Sequence, residues 1–529
     1  MATATETPKF GKWRARFWPV FKHELKKLIP MALLLFFILF NYTVLRDTKD
    51  TLVVNAAGGS QVIPFLKVWG VIPMAMIFMI IYAKLSNKLS KSALFYSVVS
   101  PFILFFAVFA WILYPLRDSL EPTSLVSWLQ STLPAGFSGV IAMIKNWSFS
   151  LFYVMSELWG SMAISLLFWG FANEICKISE AKRFFAIFGT FANLALILSG
   201  RFIKWSSTLQ SSTLPEGTDP FQISLNYMTA MIVFAGAMIL GIYWWINKYV
   251  LTDTRFYDKN QQTKSKKSKP KLSIKESFIF LAKSKYLGCI AMLVLAYGVA
   301  INLVEVTWKN QIHALYPTKN AYSAYMGGLS EMTGYITMLV TFFLGGATVR
   351  KLGWSKTALI TPIIILLTGV AFFGFTIFKD YLLGVAALFG TTPLVLAVMF
   401  GKMQNIASKS SKYAFFDPTK EMAYIPLDQE TKVKGKAAVD VVGARLGKGG
   451  GSLVQQGLII ALGGSVSAVV PYVGVILMGI IALWMIAARS LGKQFAQASA
   501  KTQEDKKSEV EEVVVAPPQN TAREAQTTS

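Results

Sequence analysis

The sequence predicts an all-α polytopic membrane protein: about twelve transmembrane helices in two pseudo-repeated six-helix halves. Three observations carry this. Only 15% of the 529 residues are charged and 54% are hydrophobic, whereas a soluble globular chain carries about 25% charged residues. Long apolar runs recur along the whole length, and the mean hydropathy is +0.48. A polybasic stretch, KSKKSKPK at 264–271, interrupts these runs near the middle of the chain.

Each segment follows in order. Residues 1–27 form a basic, aromatic arm (KFGKWRARFWPVFKHELKK from Lys9) suited to the cytoplasmic membrane surface. No A-x-A-like cleavage site follows the first apolar run. Spans are expected near 28–50, 64–84, 92–114, 147–172, 183–203, 226–247, 286–307, 327–347, 356–377, 382–403, 437–463 and 466–488. Basic loops (Lys84, Lys88, Lys91; Lys177, Lys182, Arg183; Arg350, Lys351, Lys356; Arg489, Lys493) alternate with loops poor in Lys and Arg, such as 115–146 and 464–470. Twelve spans with both termini cytoplasmic satisfy that alternation. The halves are then 28–247 and 286–490, joined by a basic cytoplasmic linker at 248–285 and followed by a polar, disordered tail at 491–529. Weak internal matches support the repeat. Tyr42 is echoed by Tyr297, Lys182 and Gly189 by Lys436 and Gly443, and FWGFANEI by MFGKMQNI. Such halves place a site between them.

Several function classes drop out. The formal net charge of +24 is explained by basic cytoplasmic loops rather than by nucleic acid, for which no single-strand platform or RNP-like run exists. Cys176 and Cys289 are far apart, and His23 and His313, the latter placed in a loop, lack ligand spacing, so no metal, cofactor or disulfide framework is expected. GARLGKGGGS at 443–452 is not a Walker A motif, because no Ser or Thr follows its Lys. Its glycines serve either to expose N–H groups to phosphate or to let helices approach closely.

Charges stand where a membrane helix should have none. VLRDTKDTLVV places Arg46, Asp47, Lys49 and Asp50 at the end of the first span. Arg46, Lys49 and Asp50 share one helix face by their i, i+3, i+4 spacing, and Arg46 lies about 27 Å along the axis from Leu28. Either they form a snorkelling rim or they face a cavity. Glu157 sits mid-span, Glu305 lies at a depth like that of Lys49, and Glu331, Asp440, Arg445 and Lys448 are further intramembrane charges. Such groups are functional-site candidates, and the excess of Lys and Arg suits an anionic, phosphate-bearing substrate.

The runs LRDTKD, SELWGS followed by LLFWGFAN, INLVEVTWK and FDPTKEMAYIPLDQETKVKGKAAVDVVGARLGKGGGS resemble the nucleotide transporter family of ATP/ADP translocases, found in chlamydial and rickettsial intracellular bacteria and in plastid envelopes. The resemblance spans about residues 28–490. It implies a major-facilitator-like fold and an antiporter that imports ATP in exchange for ADP by alternating access, with no ATP hydrolysis and no enzyme activity. It further implies a multi-pass protein of a bacterial inner membrane, with ATP, ADP and the lipid bilayer as partners and inorganic phosphate left open. Two Lys and two Glu in membrane helices are essential in that family. By motif they fall on Lys49, Glu157, Glu305 and one of Lys432, Lys434 or Lys436. A proton-coupled importer of nucleoside triphosphates is the competing expectation, since Glu157 and Glu305 suit proton coupling as well as charge balance.

Overall fold

The computed structural model describes residues 20–209, 219–253, 256, 276, 279, 281–443 and 447–515. The arm before residue 20, most of the expected linker, and residues 516–529 lie outside the described residues, as do Arg445 and the side chains of Asp440 and Lys448.

The first half comprises α1 (Leu25–Val54), α2 (Gly59–Lys88), α3 (Lys91–Leu113), two short helices α4 (Thr123–Thr132) and α5 (Ser138–Lys145), then α6 (Trp147–Ile175), α7 (Ile178–Thr208) and α8 (Pro220–Tyr249). The second comprises α9 (Lys285–Leu315), α10 (Lys319–Val340), α11 (Gly346–Ile377), the short α12 (Leu383–Leu388), α13 (Pro393–Ser411), α14 (Gln429–Val442), α15 (Lys448–Ala461) and α16 (Val466–Val515). Polar caps fix several starts: Ser90, Ser284, Thr318 and Thr392 each accept the N–H three residues on, satisfying a donor with no intrahelical partner. Outside the membrane, Asp428 accepts hydrogen bonds from Thr431, which hold its carboxyl below the ordinary aspartate range.

Among the described residues, nine helices are long and apolar enough to cross a membrane. The other three expected spans are also helical. They fall on α10, on α13, and on α14 with α15, whose sequences carry more Ser, Gly, Asn and Lys. Several boundaries differ from the sequence reading, most of all those of the tenth and last spans. The tenth span, expected at 382–403, starts at Pro393, because Gly390 (φ 64°) breaks the chain after α12 and Thr392 caps a new helix. That helix runs past Ser411 through a π-helical turn (Lys412–Phe416) and a last α-turn (Asp417–Met422). α16 continues to Val515, where a disordered tail was expected from 491. The stretch KTQEDKKSEVEE is rich in Glu, Lys and Gln, all good helix formers. His313, expected in a loop, lies in the last turn of α9.

Two hydrophobic clusters hold the halves. One is built from residues of α1–α8. The other is built from α9–α16 and takes in Val53, Val54, Val62, Ile63, Phe65 and Leu66 from the α1–α2 turn, so the two halves meet there. Large exposed apolar side chains such as Trp69, Leu104, Trp111, Leu367 and Ile486 suit a hydrocarbon surround.

Glycines bring backbones together at two interfaces. Gly200 of α7 abuts α10, where an added Cβ would stand 2.6 Å from the Gly327 carbonyl oxygen. The run GARLGKGGGS supplies the second. Gly443, Gly447 and Gly451 repeat every four residues and meet Val294, Gly298 and Asn302 of α9, which repeat likewise. Close helix packing is thus what these glycines do here.

Candidate functional site

α1 carries LRDTKD at the end remote from the termini, and there the structure assembles a chain of six groups of alternating charge. Glu157 of α6 forms an ion pair with Lys49 at 3.1 Å. Lys49 also donates to Asp50 at 2.9 Å and lies 3.9 Å from the centroid of the Tyr153 ring. The other Asp50 oxygen takes Lys309 of α9 at 2.7 Å. Lys309 reaches one helical turn back to Glu305 at 2.6 Å. The second Glu305 oxygen takes Lys67 of α2 at 2.7 Å, and Lys67 also donates to Asn302 at 2.6 Å. Lys67 sits in a π-helical turn, Leu66–Val71, a geometry common at functional sites.

Beside the chain lies a triad. Arg46 donates to Asp47 at 2.9 Å and to Ser330 of α10 at 2.7 Å, and Ser330 donates back to Asp47 at 2.6 Å. Arg46 also stands 5.9 Å from the Tyr42 ring centroid. Together the chain and the triad hold four cations (Arg46, Lys49, Lys67, Lys309) against four carboxylates (Asp47, Asp50, Glu157, Glu305). Burial divides them. Lys49, Asp50 and Lys309 are 2–3% exposed and Asp47 is fully buried, while Arg46, Lys67, Glu157 and Glu305 keep 15–30% of their side chains accessible. The cluster therefore has a sealed back and an accessible edge. Desolvated ions of this number persist only when paired and hydrogen-bonded.

The same region seals the halves against each other. Among the described residues, two ion pairs cross between them, Asp50–Lys309 and Lys67–Glu305. Around these, Asn55 meets His313 at 3.1 Å, Ser207 meets Ser323 at 2.8 Å, and Ser224 meets Asn320 at 3.0 Å. Lys319 donates to the Tyr114 hydroxyl at 2.9 Å, which in turn donates to Asp219 at 2.8 Å. At the opposite helix ends, charged groups pair within their own halves: Lys91 with Glu174, Lys434 with Glu430 at 2.5 Å, and Lys436 with Glu421 at 2.6 Å. The fold is thus sealed at the ends remote from the termini.

Of the residues singled out by sequence, Arg46, Lys49, Asp50, Glu157 and Glu305 come together. Lys434 and Lys436 stand apart, at the start of α14, with half or more of the Lys436 surface covered. Lys432 lies one turn earlier on the same helix, and its N–H bonds the Asp428 carbonyl oxygen at 2.9 Å. Asp440 and Arg445 have no described side chain. Glu331 forms no ion pair among the described residues; its backbone packs on Gly200. Sequence reasoning passed over Lys67, Lys309, Ser330 and Lys409, and it named Asp47 among the charges of LRDTKD without giving it a place in the site. Lys67 is a lone cation inside an apolar run, and Lys309 follows Glu305 by four residues. The rule that flagged Glu157 would have found Lys67, which lies within an expected span, whereas Lys309 fell two residues beyond the expected end of its own.

A family profile described as TLC ATP/ADP transporter matches residues 3–495. The chain is 56% identical over 505 residues to ADP,ATP carrier protein 1 of Chlamydia pneumoniae, covering 95% of this chain and 98% of that one. It is 50% identical over 488 residues to the chloroplastic ADP,ATP carrier protein 1 of Arabidopsis thaliana (92% and 76% covered). Identity to ADP,ATP carrier protein 1 of Rickettsia typhi is 42% over 501 residues (94% and 98% covered). Among solved structures, a bacterial homologue of the iron transporter ferroportin in its inward-facing state aligns with a TM-score of 0.55 at 13% identity, over 89% of this chain and all of that one. The inward-open xylose transporter XylE of E. coli aligns at 0.51 and 12%, over 88% and 96%. At such identities these two speak for the fold alone, a two-half transporter fold of the major-facilitator type.

Proposed function

The chain belongs to the TLC ATP/ADP transporter family, and from that premise we propose how its charge cluster serves nucleotide exchange. The protein is a multi-pass secondary transporter that exchanges ATP and ADP. The observation that carries the reading of the site is the charge-balanced cluster with one accessible edge at the sealed end. A neutral, fully paired cluster is stable without substrate. A polyphosphate reaching its edge competes for the cations there, and charge-assisted hydrogen bonds to phosphate are strong enough to do so.

In this reading the phosphates take Lys49 from Glu157, and Arg46 and Lys67 add contacts. Asp50 and Glu305 keep the remaining cations neutral while partners change. Lys436, with Lys432 and Lys434 beside it, guides the nucleotide from the end that bears the termini; Asp440 and Arg445 lie further along the same polar sequence. Import of ATP, accompaniment of ADP by phosphate, residence in an inner membrane and cytoplasmic termini all belong to this proposal. Strict antiport is favoured over the proton-coupled alternative, because relatives 42–56% identical to this chain are named ADP,ATP carrier proteins.

Two measurements test it. Lys49→Gln is expected to weaken ATP binding by about 1.5–3 kcal/mol, the scale of a charged hydrogen bond and tenfold or more in Kd. Lys436→Gln should cost less, because that pair is screened by solvent. Titration of purified carrier with ATP, beside uptake of labelled ATP into ADP-loaded, phosphate-loaded and empty proteoliposomes, gives both values. Unchanged affinity in both variants would put the phosphate site elsewhere. Orientation is tested separately. A cysteine replacing Ser265, in the polybasic linker, should resist an impermeant thiol reagent applied to intact cells. Ready labelling from outside would reverse the topology.

A further inference from the structure

α13 carries a cation that the cluster leaves unanswered. Lys402, Asn405 and Lys409 follow at i, i+3 and i+7 and share one helix face. Lys402 lies 5.6 Å from the centroid of the Tyr325 ring. The Asn405 side-chain oxygen is buried and accepts no hydrogen bond among the described residues. Lys409 is partly buried and within electrostatic reach of Arg46, Asp47, Glu305 and Lys309. Its side chain forms no ion pair or hydrogen bond among the described residues. The two carboxylates near it are already engaged: Asp47 by Arg46 and Ser330, and Glu305 by Lys67 and Lys309. The four cations and four carboxylates of the cluster balance, so Lys409 is the surplus charge.

An ammonium taken from water without a counter-ion is costly to the fold. A side chain retained at that cost, at the edge of an anion site, has its counter-charge delivered by the ligand. We propose that Lys409 binds a phosphoryl group of the transported substrate, and that the empty carrier is destabilised by this residue in the same measure as the loaded one gains. The proposal rests on the exchange reading above and extends it to a side chain from the second half, opposite Arg46 of the first. A phosphoryl group contacted from both halves would hold them in one arrangement until it leaves. Nucleotide phosphate and free inorganic phosphate offer the same chemistry, so both are tested.

The test uses full-length carrier, as wild type, Lys409→Gln and Lys409→Arg. Affinities for ATP, ADP and inorganic phosphate are measured by titration, and thermal unfolding is followed with and without each ligand. Lys409→Gln is expected to raise the unfolding temperature of the empty carrier and to lower affinity for the phosphoanion tenfold or more. Lys409→Arg should keep most of that affinity. Loss in the ATP and ADP arms assigns the contact to the nucleotide; loss in the inorganic phosphate arm alone assigns it to a free phosphate. Unchanged affinity in all three arms of Lys409→Gln, or an empty carrier that becomes less stable while affinities hold, overturns the proposal and leaves Lys409 a structural residue. Failure of the wild type itself to bind ATP would instead overturn the exchange reading.

Discussion

Glu305→Gln is expected to slow ADP-driven ATP uptake by about tenfold or more, which corresponds to at least 1.4 kcal/mol in the rate-limiting barrier. Glu305 is the carboxylate that ties Lys67 of the first half to Lys309 of the second. Glutamine keeps the shape and removes the charge. Two ammonium groups then share a neutral amide, and the seal at the remote ends loses one of its two ion pairs between halves. The sealed state should become less populated, since a shift needs only a difference in stability between the two states. Two readouts follow from this. Uptake into ADP-loaded proteoliposomes should fall, and a cysteine replacing Ser60, which is buried at the sealed end, should react faster with an impermeant thiol reagent. Wild-type exchange together with wild-type labelling would show that Glu305 takes no part in the seal. ATP binding is expected to survive, because the accessible edge retains Arg46 and Lys67.

How far the site was legible depends on what kind of signal each residue gives. Arg46, Lys49, Asp50, Glu157 and Glu305 stand out because a charge within an apolar run is conspicuous without any knowledge of partners. Their partners were not legible. Asp50 and Lys309 are 259 positions apart, and no local pattern encodes a contact at that separation. Lys409 was lost for a different reason. Hydropathy placed the tenth span at 382–403, since the run around LLGVAALFG is apolar. That run instead makes a short helix ended at Gly390, and the true helix begins at Thr392–Pro393. The shift moves Lys409 from a loop into a helix facing the cluster. The overall class was robust, because membrane length and apolarity are averaged over many residues. Of the three spans outside the nine, α10 and α13 carry many polar residues, whereas α14 and α15 are 14 residues each, too short to cross alone. The signal for a span is therefore weakest in α10 and α13, which carry Ser330 and Lys409 beside the site.

Asp50→Asn should be the most damaging single change to stability, by about 3–5 kcal/mol, the cost of removing one partner from a buried ion pair. Asp50 is 2% exposed and bridges Lys49 and Lys309. Without its charge, two buried cations approach one neutral amide, and each falls back on a carboxylate that already has another duty. The double substitution Asp50→Asn with Lys309→Gln removes one charge of each sign. Lys49 then keeps Glu157 and Lys67 keeps Glu305, so the remainder is balanced again. Thermal unfolding of the purified carrier should drop sharply in the single variant and recover by more than half in the double one. Exchange should not recover with it. The double variant has lost the Asp50–Lys309 link between halves, so a stable carrier without coupled exchange is the expected outcome. An Asp50→Asn carrier as stable as the wild type would mean that the two lysines do not depend on this carboxylate. Full recovery of exchange in the double variant would mean that charge balance alone, rather than the chain running from Glu157 to Lys67, is what transport requires.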